Sequence, residues 1–329
     1  MQLTINKFSG SFAPLKMKVH YDIQQLPLFR NAVITIGTFD GLHNGHHKII
    51  ELMQSEAAKV NGETVIITFD PHPRQIVAKD KSPLFLINTL EEKISLLEKV
   101  NIDHLVVIPF TEAFANQSAE AYISNFLVKT FHPHTIIIGY DHRFGKGRSG
   151  DYHLLEDKAP EYNYVVKEIP VYMLEDVTIS STKIREAILA GDIDTARNCL
   201  GYDYFFSGTV IKGNQLGRTI GYPTANLQIT NEDKLVPGNG VYAVTIKYEK
   251  LRTKNLSGMM NIGFRPTVDG TKRVIEVNIF DFNQDIYGET LTITLKKHLR
   301  SEVKFNGLDA LKAQLSLDKI AALKTLSEI

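Results

Sequence analysis

Tryptophan is absent from the 329 residues, and cysteine occurs once, as Cys199. A single cysteine cannot form a disulfide bond within the chain, which is typical of a reducing compartment, so the sequence predicts a cytoplasmic protein. Because Trp is missing, aromatic stacking on any planar ligand has to come from Phe, Tyr or His side chains.

An excess of one charge is also lacking, since 37 Lys and Arg residues balance 37 Asp and Glu residues. No global field therefore attracts nucleic acid or an anionic membrane, and we expect neither as a partner. The sequence shows no apolar run long enough to cross a bilayer, and its first residues do not resemble a secretion signal. Any binding of phosphate groups must come from a local arrangement of residues.

Residues 31–200 alternate strand-like and helix-like segments. Nearly continuous runs rich in Val and Ile predict buried strands at 31–39, 63–69, 103–110 and 134–140. Amphipathic patterns between them predict helices at 46–60, 89–100 and 118–131. The alternation predicts an α/β, doubly wound, Rossmann-like domain with a parallel sheet, whose ligands bind at the carboxyl ends of the strands.

The pattern changes near residue 200. Strand-like segments then recur without intervening helices, and several alternate by period two, which predicts an antiparallel sheet or a small barrel. The chain ends in helical spacing, and Asp318 is the expected N-cap of the last helical piece. We therefore predict one domain over residues 1–200 and a second over residues 201–329.

Three histidines and two glycines cluster in TFDGLHNGHH, residues 38–47, where the first strand gives way to the first helix. A helix N-terminus there offers unpaired N–H groups and a positive dipole end, and imidazoles can add hydrogen bonds to phosphate oxygens. Zinc binding by His43 and His47 is a weaker alternative, because no other Cys or His pair has ligand spacing. A further alternative is that the histidines are incidental core or surface residues.

A second cluster lies in TISSTKIREAI, residues 178–188, at the expected start of another helix. The hydroxyls of Ser181 and Thr182 can cap that helix, and Arg185 can bind a phosphate through two nitrogens. Taken alone, the segment is better explained by an ordinary N-cap followed by a solvated arginine. Together with the histidine motif, it favours phosphate binding.

The GxFDGxHxGH and SSTxIR elements together resemble the nucleotidylyltransferase superfamily and its HxGH signature. The segments TFDPHPRQIV (68–77) and IGYDHRFGKGRSGD (138–151) resemble the FMN adenylyltransferase module of prokaryotic bifunctional riboflavin kinase/FAD synthetases. The resemblance implies catalytic contacts of His43, His46 and Arg185 with ATP phosphates, supported by Ser181 and Thr182. It also implies ligand binding by a further set: Gly37, Phe39, Asp40, Asp70 and Asp141.

The glycine-rich segment GNQLGRTIGYPTANL, residues 213–227, is not a P-loop, because no Gly-Lys-Ser/Thr follows. Gly213, Gly217 and Gly221 suit a loop that wraps over phosphates, although a turn-rich hairpin connection explains them equally well. Thr224 and Asn226 offer oxygen atoms two residues apart, which suits a hard cation such as Mg²⁺.

Glu276 interrupts the apolar alternation of VIEVNIFDF, residues 274–282. By alternation alone, it is a solvent-facing carboxylate on a strand. The functional interpretation is a general base, which takes a proton from a hydroxyl group as that group attacks a phosphoryl group.

GYPTAN, MNIGFRPTV, IEVNIFDF and LRSEVKF follow one another as in the riboflavin kinase module of the same family. The resemblance implies a six-stranded barrel in which Thr224 and Asn226 bind Mg²⁺ and ATP. It also implies that Glu276 activates the ribityl 5′-hydroxyl, and that Arg300 and Phe305 border the flavin.

The functional hypothesis is therefore two ATP-dependent steps: phosphorylation of riboflavin to FMN, then adenylylation of FMN to FAD with release of pyrophosphate. Riboflavin, FMN, FAD and ATP are the implied ligands, with Mg²⁺ in both sites. Two alternatives stay open: a nucleotidylyltransferase for another phosphate acceptor, and a flavin-binding protein without turnover. Asn44 and His142 depart from the family pattern, which commonly has a hydrophobic residue at the first position and an aromatic one at the second.

Overall fold

The structure is a computed structural model, and it describes residues 16–78, 83–139, 142–169, 179–213, 215–251, 255–267 and 270–328. The chain forms two compact units that interleave along the sequence. The first unit comprises the described residues within 1–42, 46–82 and 90–176. The second comprises those within 43–45, 83–89 and 177–329.

Six parallel strands form the sheet of the first unit. They are β1 (Lys18–His20), β2 (Val33–Ile36), β3 (Thr64–Asp70), β4 (His104–Pro109), β5 (Thr135–Gly139) and β6 (Val165–Ile169). Their spatial order is β1-β4-β3-β2-β5-β6, so the chain adds strands on one side of β2 and later on its other side. This reversal opens a crevice at the carboxyl ends of β2 and β5. The predicted doubly wound parallel sheet is confirmed.

The sequence patterns missed the two edge strands, β1 and β6. Both are short, and neither presents the continuous buried run that marks the central strands. β2, in contrast, is buried along its whole length. An edge strand has a neighbour on one side only, so its sequence need not be apolar.

Helices accompany both units. They are α1 (Asn44–Lys59), α2 (Pro73–Val77), α3 (Leu90–Leu97), α4 (Glu112–Ala115), α5 (Ala119–Ala121), α6 (Lys129–Phe131), α7 (Tyr152–Tyr162), α8 (Ser181–Ala190), α9 (Ile193–Leu200), α10 (Leu216–Thr219) and α11 (Leu308–Ser327). A π-helix, Tyr122–Val128, joins α5 to α6, and 3-10 turns cover Ile23–Gln25, Glu98–Val100 and Lys146–Arg148.

The second unit is built on a closed barrel of six strands. They are β7 (Phe205–Ile211), β8 (Ala225–Gln228), β9 (Gly240–Tyr248), β10 (Leu256–Thr267), β11 (Gly270–Ile279) and β12 (Thr290–Arg300). All pairs are antiparallel, in the order β10-β11-β8-β7-β12-β9. The buried residues of β7 and β12 alternate with partly exposed ones, as period two requires. The predicted antiparallel barrel is confirmed.

Helices α8 and α9 share the barrel's hydrophobic core. Ile184 and Ile188 of α8 and Leu200 of α9 lie in one cluster with Phe206 and Leu295 of the barrel. Both helices bury their apolar faces in one core with the barrel residues. By packing, the second unit therefore includes α8 and α9 and begins before residue 200. The functional division at 200/201 stays a prediction.

Residues 83–89 also belong to the second unit, although they lie between β3 and α3 in the sequence. The Nζ of Lys234 donates to the carbonyl oxygen of Ile87 at 2.6 Å. Leu86 bonds through its backbone to Asp233 and Leu235, at 2.6 and 2.8 Å. This segment is thus fastened to the connection between β8 and β9.

The C-terminal helix α11 runs without interruption through the position where a new helical piece was predicted. Asp318 is in its middle and only 3% exposed, so the expected N-cap at Asp318 is wrong. Its carboxylate instead accepts hydrogen bonds from Nε and Nη2 of Arg300 on β12, at 2.8 and 2.7 Å. A carboxylate within a helical pattern can serve as a cap or as one half of an ion pair, and local sequence does not distinguish these.

Replacing Asp318 by Asn tests this ion pair. The substitution keeps the shape but leaves the charge of Arg300 poorly compensated, so we expect the free energy of unfolding to fall by about 1–3 kcal/mol. Urea unfolding monitored by circular dichroism measures the change. Asp309→Asn, at an exposed position of the same helix, is the matched control, and an equal loss there would contradict the assignment.

Among the described residues, no helix combines the length and the apolar composition needed to cross a membrane.

Candidate functional sites

The loop between β2 and α1 has an unusual backbone. Phe39, Gly41 and Leu42 have positive φ angles of 48°, 88° and 33°. Phe39 and Leu42 are bulky residues, for which this region costs on the order of 1–3 kcal/mol each. Their side chains are only 2% and 1% exposed, so core packing holds the loop in this shape. Because strain of this kind clusters at functional sites, the loop is a candidate site at the sheet's crevice.

The histidine motif follows directly. His43 precedes α1 and is 8% exposed, whereas His46 lies in the first turn of α1, with its ring centroid 4.8 Å from that of Phe39. A Cβ at Gly45 would lie 3.1 Å from the ring of His43, so a larger residue there would press on that ring. Burial lowers the pKa of His47, which favours its neutral form.

Asn44, which departs from the family pattern, has a structural partner. Its Nδ2 donates to the carbonyl oxygen of Asn198 at 2.9 Å, near the end of α9. Its Oδ1 faces Gly201, where an added Cβ would lie only 2.3 Å away. The polar side chain therefore satisfies a carbonyl at a helix C-terminus, which a hydrophobic residue would not.

The remaining residues predicted near this loop take varied positions. Gly37 directly follows β2, with its N–H donating to the carbonyl oxygen of Ile67 at 3.0 Å. Asp40 is buried, 2% exposed, while Asp70 ends β3 in an exposed position. Asp141 lies outside the described residues.

The second cluster lies at the start of α8. Ser180 is the N-cap, its hydroxyl accepting from the N–H of Lys183 at 3.2 Å, so the predicted capping by Ser181 and Thr182 is wrong by one residue. Ser181 begins the helix, and the cap must precede it. Arg185, one turn in, donates from Nε to the carbonyl oxygen of Phe85 at 2.8 Å. That bond orients its guanidinium group.

Sequence reasoning missed Lys93 of α3. Its side chain is buried, 6% exposed, and its Nζ donates to Oγ1 of Thr68 at 3.4 Å. Burial lowers its pKa, while the negative charges of Asp40 and Asp70 act in the opposite direction. A signal was present, since Lys93 lies three residues after Leu90 and four before Leu97, on the predicted apolar face.

In the barrel, Glu276 is placed by β11 beside β8 and β10, opposite Asn226 and Asn261. Its neighbours Ile275 and Val277 point into the core, as the alternation predicted. Yet its side chain is only 14% exposed, so the solvent-facing interpretation is wrong. Charged and polar neighbours cover it.

Two side chains hold the carboxylate of Glu276. Nη2 of Arg265 lies 2.5 Å from Oε2, and the hydroxyl of Thr224 lies 3.4 Å from Oε1. Arg265 was present in MNIGFRPTV but had received no role. Such an ion pair fixes the orientation of a carboxylate while leaving one oxygen directed at Thr224.

The glycine-rich segment lies against the same residues. A Cβ at Gly213 would approach Nδ2 of Asn226 to 2.2 Å, and one at Gly217 would meet the carbonyl oxygen of Tyr222 at 2.2 Å. Glycine is therefore required at Gly217, where the close atom belongs to the backbone. Gly221 has a positive φ of 84°. Just before it, Leu216–Thr219 form the one-turn helix α10.

The oxygen atoms of this region suit Mg²⁺. Thr224, Asn226 and Glu276 bring together a hydroxyl, an amide and a carboxylate, which are hard donors. In the described parts of the chain, no three His, Cys, Asp or Glu side chains converge as a metal site. The cation would therefore depend on nucleotide phosphates and water for further ligands, as Mg²⁺ commonly does.

A cavity of about 620 Å³ opens beside Thr224. Arg218, Phe282 and Tyr287 are among the other residues that line it. Its size suits a nucleotide or a similar ligand.

Arg300 and Phe305, predicted at the flavin, are neighbours, with the guanidinium carbon of Arg300 5.6 Å from the centroid of the Phe305 ring. Arg300 is also the partner of Asp318. The arginine therefore anchors α11 to β12, whatever it contributes to a ligand.

Family models and individual relatives both match nearly the whole sequence, and they indicate the same family. The family model of FAD synthetase matches residues 26–183, and that of riboflavin kinase matches residues 200–326. The chain is 37% identical over 302 residues to the bifunctional riboflavin kinase/FMN adenylyltransferase of Escherichia coli strain K12, covering 92% of this chain and 95% of the relative. It is 36% identical over 301 residues to the protein of that name from Bacillus subtilis strain 168, covering 91% and 93%.

Among solved structures, a crystal structure described as a macrolide-efflux protein from Streptococcus pneumoniae is similar along almost the whole chain. The TM-score is 0.81 at 30% identity, covering 93% of this chain and 98% of that one.

Proposed function

Because the chain belongs to the family of bifunctional riboflavin kinases/FMN adenylyltransferases, we propose that residues 1–200 catalyse adenylyl transfer and residues 201–329 phosphorylate riboflavin. The protein converts riboflavin and ATP to FMN, and then FMN and ATP to FAD. The observation that carries the assignment of the kinase site is the carboxylate of Glu276, held by Arg265 and directed at Thr224 beside the cavity.

In the kinase step, the ribityl 5′-hydroxyl attacks the γ-phosphorus of ATP, and ADP leaves. Glu276 accepts the hydroxyl proton as the new P–O bond forms. Arg265 keeps the carboxylate in place, and Thr224 and Asn226 would hold Mg²⁺ together with the ATP phosphates. Mg²⁺ would supply charge neutralisation on those phosphates.

In the adenylyl step, a phosphate oxygen of FMN attacks the α-phosphorus of ATP, and the bond to pyrophosphate breaks. No protein nucleophile is needed, so the residues align the substrates and stabilise developing charge. His43 and His46 donate to the ATP phosphates at the N-terminus of α1. Arg185, Ser181 and Thr182 bind them from α8.

The single cysteine and the metabolic role support a cytoplasmic location. Mg²⁺ is proposed for both steps because in both a leaving group of ATP phosphates gains negative charge that the cation would neutralise.

One assay tests the proposed function. Purified protein is incubated with riboflavin, ATP and Mg²⁺, and the flavins are separated by chromatography over time. We expect FMN to appear first and FAD to follow, with neither formed when EDTA exceeds Mg²⁺. FMN without FAD would exclude adenylyl transfer to FMN, and formation of neither would leave a flavin-binding protein as the better description.

A further inference from the structure

The described part of the first unit contains a buried lysine that the two proposed steps do not use. Lys93 extends from α3 to the ends of β2 and β3, where its Nζ donates to Oγ1 of Thr68. Thr68 in turn donates to the carbonyl oxygen of Thr38, at 3.2 Å. The ammonium group is thus tied to both strand ends that carry the candidate carboxylates.

These two strand ends have the same short sequence. Thr38, Phe39 and Asp40 follow β2, and the same three residue types, 68–70, close β3. β2 and β3 are adjacent and parallel, so their ends meet at the same edge of the sheet. Asp40 and Asp70 are the carboxylates whose charges act on Lys93. One buried cation therefore serves two acidic groups on neighbouring strands.

The charges of the substrates give this arrangement a purpose. ATP and FMN both reach the adenylyl site as anions, and two uncompensated carboxylates there would repel them. A buried lysine offsets one negative charge without competing for the phosphates, because it lies beneath the surface. Its hydrogen bond to Thr68 also fixes where that charge is.

We propose that Lys93 is a positioning residue of adenylyl transfer, which acts through Asp40 and Asp70 by lowering the net negative charge of the two strand ends that carry them. This inference rests on the proposed function of residues 1–200. Lys93 does not touch substrate, and its effect is on how tightly the anionic substrates bind.

The Lys93→Met variant keeps the length of the side chain and removes the charge. We expect the KM for ATP or for FMN in FAD formation to rise about 10- to 100-fold, with kcat changed much less. A merely structural role would lower the fraction of active enzyme, and hence kcat, while leaving KM unchanged. Lys93→Arg keeps the charge and should restore most of the wild-type KM.

Neutralising a second charge provides a sharper test. Lys93, Asp40 and Asp70 together carry one negative charge; Lys93→Met makes this two, and Lys93→Met with Asp70→Asn returns it to one. We expect Asp70→Asn to lower the KM of Lys93→Met by a larger factor than it lowers the KM of the wild-type protein, which is non-additive coupling of the two positions. Lys99→Met, at an exposed lysine just after α3, is the matched control and should leave FAD formation unchanged.

Riboflavin phosphorylation by the same preparations reports whether the barrel is intact, and thermal unfolding monitored by circular dichroism reports whether the first unit of each variant is folded. An unchanged KM in Lys93→Met, or additive effects of the two substitutions, would overturn the role of Lys93 while the proposed function stands. Wild-type protein that makes no FAD from FMN would overturn the proposed function and this inference with it.

Discussion

FMN should accumulate and FAD formation should fall by at least about 10²-fold when His46 is replaced by Ala, because the proposed donor to the ATP phosphates is lost from the N-terminus of α1. His46 lies in the first turn of that helix and against Phe39, whose strained backbone is fixed by burial. An imidazole in this position can stabilise, by a hydrogen bond, the negative charge that develops on the phosphates as the α-phosphorus is attacked. The measurement is the rate of FAD formation from added FMN and ATP.

His47→Ala is the matched control for this result. It removes the same side chain one position further along α1, at a histidine to which the mechanism gives no role, and should change FAD formation by less than about threefold. The rate of riboflavin phosphorylation should stay the same in both variants. Equal losses in both variants, or loss of both activities in folded His46→Ala protein, would contradict the assignment.

Replacing Glu276 by Ala should have the opposite pattern. FMN formation is expected to fall by about 10²- to 10⁴-fold, the usual contribution of a general base, while added FMN is still converted to FAD. Arg265 and Thr224 would both lose their partner, so Glu276→Gln is the second variant, which keeps the volume and removes the basic oxygen. Both variants are assayed with riboflavin and with FMN as separate substrates.

Glu289→Gln provides the control for the general loss of a barrel carboxylate. Glu289 forms an ion pair with Lys250 at 2.5 Å on the same barrel, with no proposed part in the reaction. We expect its kinase activity to be within about twofold of wild type. If Glu276→Gln keeps wild-type kinase activity, the general base must be sought elsewhere.

Much of the fold could be predicted from periodicity. The central strands β2 to β5 are buried on both faces, so their sequences are continuous apolar runs that allow little else. Strands β7 and β12 of the barrel alternate, because one side of each faces the core. The edge strands and the position of Asp318 could not be read in this way, since both are decided by what lies beside them in space.

The candidate site residues divide along the same line. His43 and His46 could be found because a motif at a strand end has a position known from topology alone. Lys93 stands out only as a lysine on an apolar face, because Asp40, whose charge acts on it, is remote in the sequence. Arg265 could not be found, because only the pairing of β10 with β11 brings its side chain to Glu276. A single sequence contains both residues of such a pair, but it does not show that they lie close together in the fold.

During synthesis on the ribosome, the segment 83–89 has to wait for its hydrogen-bond partners. Ile87 and Lys234, which are hydrogen-bonded in the finished protein, are 147 positions apart. At roughly 5–20 residues per second, Lys234 is added about 7–30 s after Ile87. The residues of the two strands that flank the segment, β3 and β4, have therefore all been synthesised before Lys234 is added.

In a chain that ends after residue 200, the segment 83–89 would never gain these partners. Such a chain would contain residues 83–89 but lack Asp233, Lys234 and Leu235, which bind them. Single substitutions such as His46→Ala and Glu276→Ala are expected to separate the two activities, whereas cutting the chain at the predicted boundary would remove part of what holds this segment in place.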